Sequence, residues 1–452
     1  MDYPQFPKDF LFGTASSAYQ IEGSPEADGR GPCIWDTFTH KKRKIKNGDR
    51  ADTACNTYLN PEPDLDLMKQ LGLNTYRFSV SWSRVLPQGR GPINQKGLDY
   101  YSRLVDQVLE RGIRPFITLF HWDTPEALAV RYKGFVSRDC ASDFADYAEL
   151  MARTLGDRVK DWITLNEPWE HSALGYLLGD HAPGHHNPWE CMAVVHHQLL
   201  GHGLALERLR SVIPDARVGI TLSQTPILPA TDKPADVEAS HLANQFFNDL
   251  YLDAIFRGKY SEPFWSRIKP IRPKVLAGDM EAISGPIDFL GINYYSREFG
   301  RAAWYMPFFG FWIDTVEVTG HAREVNGRLY TASGREVYAP AFYDLLMKIK
   351  NEYGNLPVII TENGAAFEDV PTGDRVHDPQ RVRFLNDYMS EAARAAKDGV
   401  DLRGYFIWSL TDNFEWNIGY SARFGLVYVD FETQQRIVKD SGRWVAEMIK
   451  NQ

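Results

Sequence analysis

Glu167 and Glu362 each close a short apolar run, and that repeated arrangement is where chemistry could sit. In Leu356–Gly364 (LPVIITENG) the residues Val358, Ile359, Ile360 and Thr361 lead to Glu362, and Asn363-Gly364 follows as a turn signal. In Val159–Pro168 (VKDWITLNEP) the run ends in Asn166, Glu167 and Pro168. Runs this apolar read as strands buried on both faces, as in a parallel sheet. A lone acid at a strand end is ordinarily a solvated one. Two acids delivered in the same way, with no metal-ligand cluster beside them, point to a working carboxylate pair. Glycoside hydrolysis needs such a pair. One protonated carboxyl gives its proton to the leaving oxygen, and the other attacks the anomeric carbon or activates water.

Neighbouring residues suggest the division of roles. A nucleophile must stay ionised, so it needs cationic or hydrogen-bond-donating partners. Arg77 and Tyr295 are candidates to partner Glu362. An acid must hold its proton near neutral pH, which apolar surroundings favour. Glu167 is followed by Pro168-Trp169. Asn166 can bind a sugar hydroxyl, Trp408 can supply an apolar floor, and Glu415 can accept hydrogen bonds from sugar hydroxyls.

The elements that must position these residues alternate regularly. Strands are predicted at Phe10–Ser16, Leu73–Val80, Arg114–Phe120, Val159–Leu165, Arg217–Ser223, Ile287–Tyr295, Val358–Glu362 and Leu402–Leu410. Helices are predicted at Pro63–Leu71, Leu98–Arg111, Ala141–Leu155, Cys191–Arg210, Ala239–Phe256, Pro340–Tyr353 and Gln380–Lys397. Eight apolar strands alternating with helices argue for a closed (β/α)8 TIM barrel, an α/β fold, in a single domain over residues 1–452. Active sites in such barrels lie at the C-terminal strand ends. Seven of the eight ends carry polar or aromatic groups. The fifth, Leu222-Ser223-Gln224, says little. Two long loops stand out, His40–Asp52 and the aromatic-rich Arg297–Ala339.

Composition narrows the function class. A formal net charge of −9 argues against nucleic acid or an anionic membrane as partner. Twelve Trp and 22 Tyr suit the flat faces of sugars. Cys33, Cys55, Cys140 and Cys191 show no CxxC or zinc-ligand spacing and fit a reduced, cytoplasmic compartment. Phe10–Ala18 superficially resembles a secretion signal, but its apolar part is short and Lys8-Asp9 precede it. No run approaches the roughly 18 apolar residues of a membrane span. The stretch holding His181, His185, His186, His196, His197 and His202 invites a metal reading. Adjacent His196 and His197 point about 100° apart on a helix, so they cannot chelate together, and neither metal nor cofactor is expected. Lys41–Lys46 (KKRKIK) reads as a solvated loop in an acidic chain. No interface signal is visible, and the sequence is compatible with a homo-oligomer.

Taken together, the motifs resemble those of glycoside hydrolase family 1, the β-glucosidase family. Phe10–Glu22 (FLFGTASSAYQIE) is similar to the family's N-terminal signature, Thr164–Pro168 (TLNEP) to its acid/base motif and Ile360–Gly364 (ITENG) to its nucleophile motif. Trp408–Trp416 (WSLTDNFEW) and Gly419–Asp430 (GYSARFGLVYVD) resemble its C-terminal sugar-binding block. The resemblance implies a retaining, exo-acting β-glycosidase, best read as a β-glucosidase. Such an enzyme removes terminal β-D-glucosyl residues from cellobiose, short cello-oligosaccharides and aryl or alkyl glucosides. It implies Glu362 as nucleophile, Glu167 as acid/base, and Arg77 and Tyr295 as supports of the nucleophile. Gln20, His121, Trp122, Asn166, Glu415 and Trp416 would hold the sugar. Trp408 would lie under it, and Asn293 and Phe424 would complete the pocket.

Some positions depart from the pattern. Arg335, in Thr331–Val337 (TASGREV), stands where the family usually has a Trp on the leaving-group side, near Trp169. An Arg can stack or bind an acceptor but is not equivalent. Asp180 and Glu170-His171 are expected near the pocket mouth, and Phe135 reads as a packing replacement for Trp. Three other functions compete. A 6-phospho-β-glycosidase is disfavoured by the acidic Glu415, and a non-catalytic sugar-binding member by the presence of both glutamates. A transglycosidase would use the same intermediate with an alcohol as acceptor.

Overall fold

The computed structural model describes residues 3–452. Eight strands close one parallel barrel in sequence order: β1 Leu11–Ala15, β2 Thr75–Ser79, β3 Arg114–Phe120, β4 Asp161–Asn166, β5 Arg217–Ser223, β6 Phe289–Asn293, β7 Val358–Asn363 and β8 Leu402–Trp408. Closure is made by β1 against β8, from Leu11 opposite Gly404 to Ala15 opposite Trp408. The helices between strands are amphipathic. Gln95–Glu110, for example, turns Leu98, Tyr101, Leu104, Val105 and Val108 onto the barrel, a 3–4 spacing that makes one apolar face.

The barrel interior is plugged by rings. Phe116, Ile163, Phe289, Ile359 and Phe406 pack together, with Phe116 and Phe406 centroids 5.2 Å apart. Small residues on the neighbouring strand make room: a Cβ on Gly13 would lie 2.5 Å from Phe406, its partner in register. The plug is a packed core, so substrate can reach the strand ends from one face alone.

Two expectations need correction. The predicted helix Ala239–Phe256 is interrupted. Pro234–Asn244 and Leu250–Arg257 are separated by a wide π turn, Gln245–Asp249. Side-chain amides cause the break by binding loop backbone instead of facing solvent. Asn244 Nδ2 donates to Ile227 O at 2.6 Å and Asn248 Nδ2 to Thr225 O at 2.8 Å. The aromatic-rich stretch Arg297–Ala339 is not simply loop. Glu298–Ala302 and Phe311–Asp314 form a hairpin that joins Ile227–Pro229 in a three-stranded sheet above the barrel. Three histidines of the histidine-rich stretch have separate partners. His196 meets Tyr260 and Asp279, His202 meets Thr164, and His185 meets Glu190. Lys44 Nζ ties its loop to Gly179 O at 2.9 Å.

Candidate active site

Arg77, projecting from β2, is the anchor. Its guanidinium is buried, and every arm has an acceptor: Thr118 Oγ1 at 3.0 Å, Thr361 O at 3.1 Å, Glu362 Oε1 at 2.6 Å and Asn166 Oδ1 at 2.6 Å. A buried charge persists only when paired and fully hydrogen-bonded in this way. Tyr295, two residues past β6, donates its hydroxyl to Glu362 Oε2 at 2.6 Å. Both oxygens of Glu362 are therefore held, one by a cation and one by a neutral donor.

Asn166 links the two carboxylates. Its Oδ1 accepts from Arg77 and, at 3.1 Å, from Asn293 Nδ2. Its Nδ2 faces His121 Nε2 at 3.1 Å and Glu167 Oε2 at 3.3 Å. Thr361 Oγ1 holds Asn293 Oδ1 at 2.8 Å, and Thr221 Oγ1 donates to Thr361 at 3.2 Å. The silent fifth strand thus contributes through Thr221, below its end. Glu167 has φ 44°, in the left-handed region, as do Trp122 at 72° and Trp416 at 48°. Such residues cost about 1–3 kcal/mol each and persist only where their surroundings hold them, as at functional sites. Glu167 N–H is fastened to Thr221 O at 2.9 Å.

The electrostatics separate the pair. Burial, then the charges of Glu170 and Glu362, push the Glu167 carboxyl well up. Burial also raises Glu362, but Arg77 and Tyr295 oppose it. Glu362 therefore gives up its proton first and Glu167 keeps its own. Burial, then Arg77, drives His121 well below the ordinary imidazole value, so its ring is neutral. Burial, then the Glu362 charge, push Glu415 up to about 8. At neutral pH Glu415 can donate a proton to a hydroxyl oxygen as well as accept one.

Aromatic rings wall the pocket. His121 stacks on Trp408 and on Trp416 with centroids 5.9 Å away in each case, and Trp122 lies 4.7 Å from Trp416. Trp122 Nε1 donates to Asn166 O at 2.9 Å. Trp408 and Phe424 share one buried cluster. Gln20 Nε2 reaches Glu415 Oε2 at 3.3 Å and Asn413 Oδ1 at 3.1 Å. The loop carrying Glu415, Trp416 and Phe424 is closed by the Asp412 carboxylate. Oδ1 accepts from Gly425 N at 2.9 Å and Lys439 Nζ at 2.7 Å, and Oδ2 from Arg423 at 2.7 Å. Lys439 also donates to Asp369 at 2.5 Å, and Arg381 binds Asp369 and Asp378 in the same buried network.

A cleft of about 270 Å³ adjoins this pocket, lined among others by Trp169, Glu170, Asp180, Phe247, Trp312 and Arg335. Trp169 stacks on Phe247 at 4.1 Å. Arg335 Nη1 donates to Glu298 Oε1 at 3.0 Å. The hydrogen bonds, ring contacts and cleft lining thus bring the residues singled out in the sequence close together, with one exception. His171 does not reach the mouth as expected: its ring is buried against Phe120, Phe135 and Tyr176. Phe135 packs there too. Sequence reasoning missed Thr221, Thr361 and Asn413, and gave no role to Phe246 and Phe247, which the π turn Gln245–Asp249 carries to the cleft.

The model of glycosyl hydrolase family 1 matches residues 2–452. The chain belongs to glycosyl hydrolase family 1. Beta-glucosidase A of Thermotoga maritima is 44% identical, with 100% of this chain and 99% of that one covered. The 1,4-beta-D-glucan glucohydrolase of Thermotoga neapolitana is 43% identical, covering 99% and 98%. The Thermotoga maritima family 1 β-glucosidase in complex with isofagomine lactam gives a TM-score of 0.93 at 44% identity, covering 100% and 99%. Family 1 enzymes are retaining glycosidases, and this chain is one.

Proposed function

We propose that this family 1 chain is an exo-acting β-glucosidase with Glu362 as nucleophile and Glu167 as acid/base. The observation that carries the assignment is the unequal setting of the two carboxylates. Glu362 is gripped at both oxygens, by Arg77 and Tyr295, whereas Glu167 is buried beside two other acids. In the first step Glu362 attacks the anomeric carbon while Glu167 gives its proton to the departing oxygen, leaving a covalent glucosyl-enzyme. Esterification removes the Glu362 charge, one of the causes that raise Glu167. Having given up its proton, the Glu167 carboxyl now stays ionised and serves as the base that takes a proton from water, which attacks from the vacated side and releases glucose.

Gln20, His121, Trp122, Asn166, Asn293, Glu415 and Trp416 bind the terminal sugar, Trp408 lies beneath it and Phe424 closes the wall. Trp169 and Arg335 belong to the leaving-group side. Cellobiose, short cello-oligosaccharides and aryl or alkyl glucosides fit this division. A 6-phosphate would meet the Glu415 carboxyl, which repels it whenever that carboxyl is ionised. We take residues 1–452 as one catalytic domain working in the cytoplasm without nucleic-acid or membrane partners. Four buried, unbridged thiols support a reducing compartment, and no helix among the described residues is long and apolar enough to cross a membrane.

The test compares initial rates on an aryl β-D-glucoside and its 6-phosphate, for wild type and Glu362→Ala with added azide. The expected result is fast release from the plain glucoside, loss in the variant, and rescue as α-glucosyl azide. Activity on the phosphate alone would overturn the substrate reading. A β-configured azide product would overturn the role of Glu362.

A further inference from the structure

We propose that Glu170 makes the leaving-group cleft selective for β-glucosides whose leaving group joins an apolar body to a hydrogen-bond-donating head, an amine above all. This deepens the β-glucosidase reading and rests on it.

The cleft has two kinds of wall. Trp169, Phe247, Phe311 and Trp312 give it apolar faces suited to a flat ring or hydrocarbon body. Its ionisable residues are three acids, Glu170, Asp180 and Glu298, and one cation, Arg335. That cation is already committed, since Arg335 Nη1 donates to Glu298 at 3.0 Å. Neither Glu170 nor Asp180 has an ion-pair partner among the described residues. Two carboxyl groups without a cation therefore remain on one side of a largely apolar cleft.

Glu170 stands three residues after the acid/base, at the start of the wide π-helical segment Glu170–Leu178. One of its oxygens, Oε2, is out of contact with solvent and has no hydrogen-bond donor. Glu170 as a whole is only half-buried at the cleft wall, so an incoming N–H or O–H can reach its carboxylate and relieve the cost of an acceptor left short of partners. The charged or polar groups that face Glu170 are Glu167 on its own stretch, Ser223 from β5, Glu362 from β7 and Arg335 from across the cleft. Ser223 and Arg335 favour its charged form, while burial and Glu362 push its carboxyl up to about 7. Above that value the group is an anion that needs a donor. An ammonium satisfies it best because a charge-assisted hydrogen bond is roughly twice as strong as a neutral one. A carboxylate on the leaving group would be repelled by Glu170 and Asp180 together.

Four para-substituted phenyl β-D-glucosides test this: aminomethyl, hydroxymethyl, methyl and carboxymethyl. The methylene insulates the phenol from the substituent, so leaving ability stays nearly constant across the set. Rates are measured about one pH unit above the Glu170 value, for wild type, Glu170→Gln and Glu170→Val, and are compared as ratios within each enzyme. Wild type is expected to prefer aminomethyl over methyl by about tenfold to a hundredfold in kcat/KM, with carboxymethyl the slowest. Glu170→Gln should keep a small preference for the donors, and Glu170→Val should bring the aminomethyl-to-methyl ratio close to one. An unchanged ratio in Glu170→Val would overturn the proposal and leave Oε2 bonded to a buried water. Hydrolysis of the methyl compound with no ranking among the four would overturn the proposal while the β-glucosidase reading stands. Failure of wild type on all four would overturn both.

Discussion

Replacing Tyr295 with Phe should show whether hydrogen bonding keeps the nucleophile ionised. The hydroxyl donates to Glu362 Oε2 at 2.6 Å, while Arg77 grips the other oxygen at the same distance. Tyr295→Phe removes one donor and leaves the cation and the ring in place. A hydrogen bond to a charged group contributes about 1.5–3 kcal/mol. One pKa unit corresponds to about 1.36 kcal/mol, so the Glu362 carboxyl should move up by about 1–2 units. The free enzyme must have Glu362 ionised to react, so the acid limb of kcat/KM shifts to higher pH by the same amount. The assay is a pH profile on a 2,4-dinitrophenyl β-glucoside, whose leaving group departs without a proton and so removes Glu167 from the acid role. A limb that stays within about 0.3 unit of wild type, far inside the shift expected from that bond, would refute the argument.

Three other outcomes follow from the same geometry. Glu167→Gln should cut kcat/KM on alkyl glucosides by about 10²–10⁴ and affect the dinitrophenyl substrate far less, with the alkaline limb lost; equal losses on both would remove Glu167 from the acid role. Lys439→Met leaves Asp369 and Asp412 short of a cation in a buried network, at a cost of about 3–5 kcal/mol. With about 2.1 cal/mol/K of unfolding entropy per residue, that lowers the thermal midpoint by roughly 3–5 °C, and Lys439→Met with Asp412→Asn should lose less than the two single changes added together. Arg335→Trp should favour aryl and alkyl leaving groups, and an unchanged ranking across a leaving-group series would show that this position does not set it.

Local sequence carries much of this architecture because barrel strands are short and buried on both faces. The predicted ranges of β3 and β5 coincide with the observed ones, and so does helix Pro340–Tyr353. Strand ends drift where apolar residues continue past the last ladder bond. The first strand, for instance, reads as Phe10–Ser16 but pairs only over Leu11–Ala15. What stayed hidden depends on side chains leaving their usual roles. Asn244 and Asn248 look like poor helix formers, yet they bind loop backbone and open the helix. Thr221 and Thr361 look like β-branched filler, yet their hydroxyls orient Asn293 beneath the pair. Of the pair expected near the mouth, Glu170 lines the cleft but His171 turns inward, because the segment that carries both is π-wound. The two glutamates were legible because each repeats the same strand-end arrangement. The residues that tune them belong to four other strands, and only closure of the barrel brings them near.

The Asp412 carboxylate, which fastens Gly425, Arg423 and Lys439, pins the two ends of the intervening loop, while Tyr420 pins its middle to Asp49 and Arg50. Glu415 and Trp416, between these fixed points, can change while the frame of Gly419, Tyr420 and the ends stays in place. If Glu415 and Trp416 bind the sugar as proposed, sugar preference can evolve, or be transplanted, as one interchangeable cassette, provided that its anchors, Asp49, Asp412, Arg423, Gly425 and Lys439, travel with it or already await it in the host barrel.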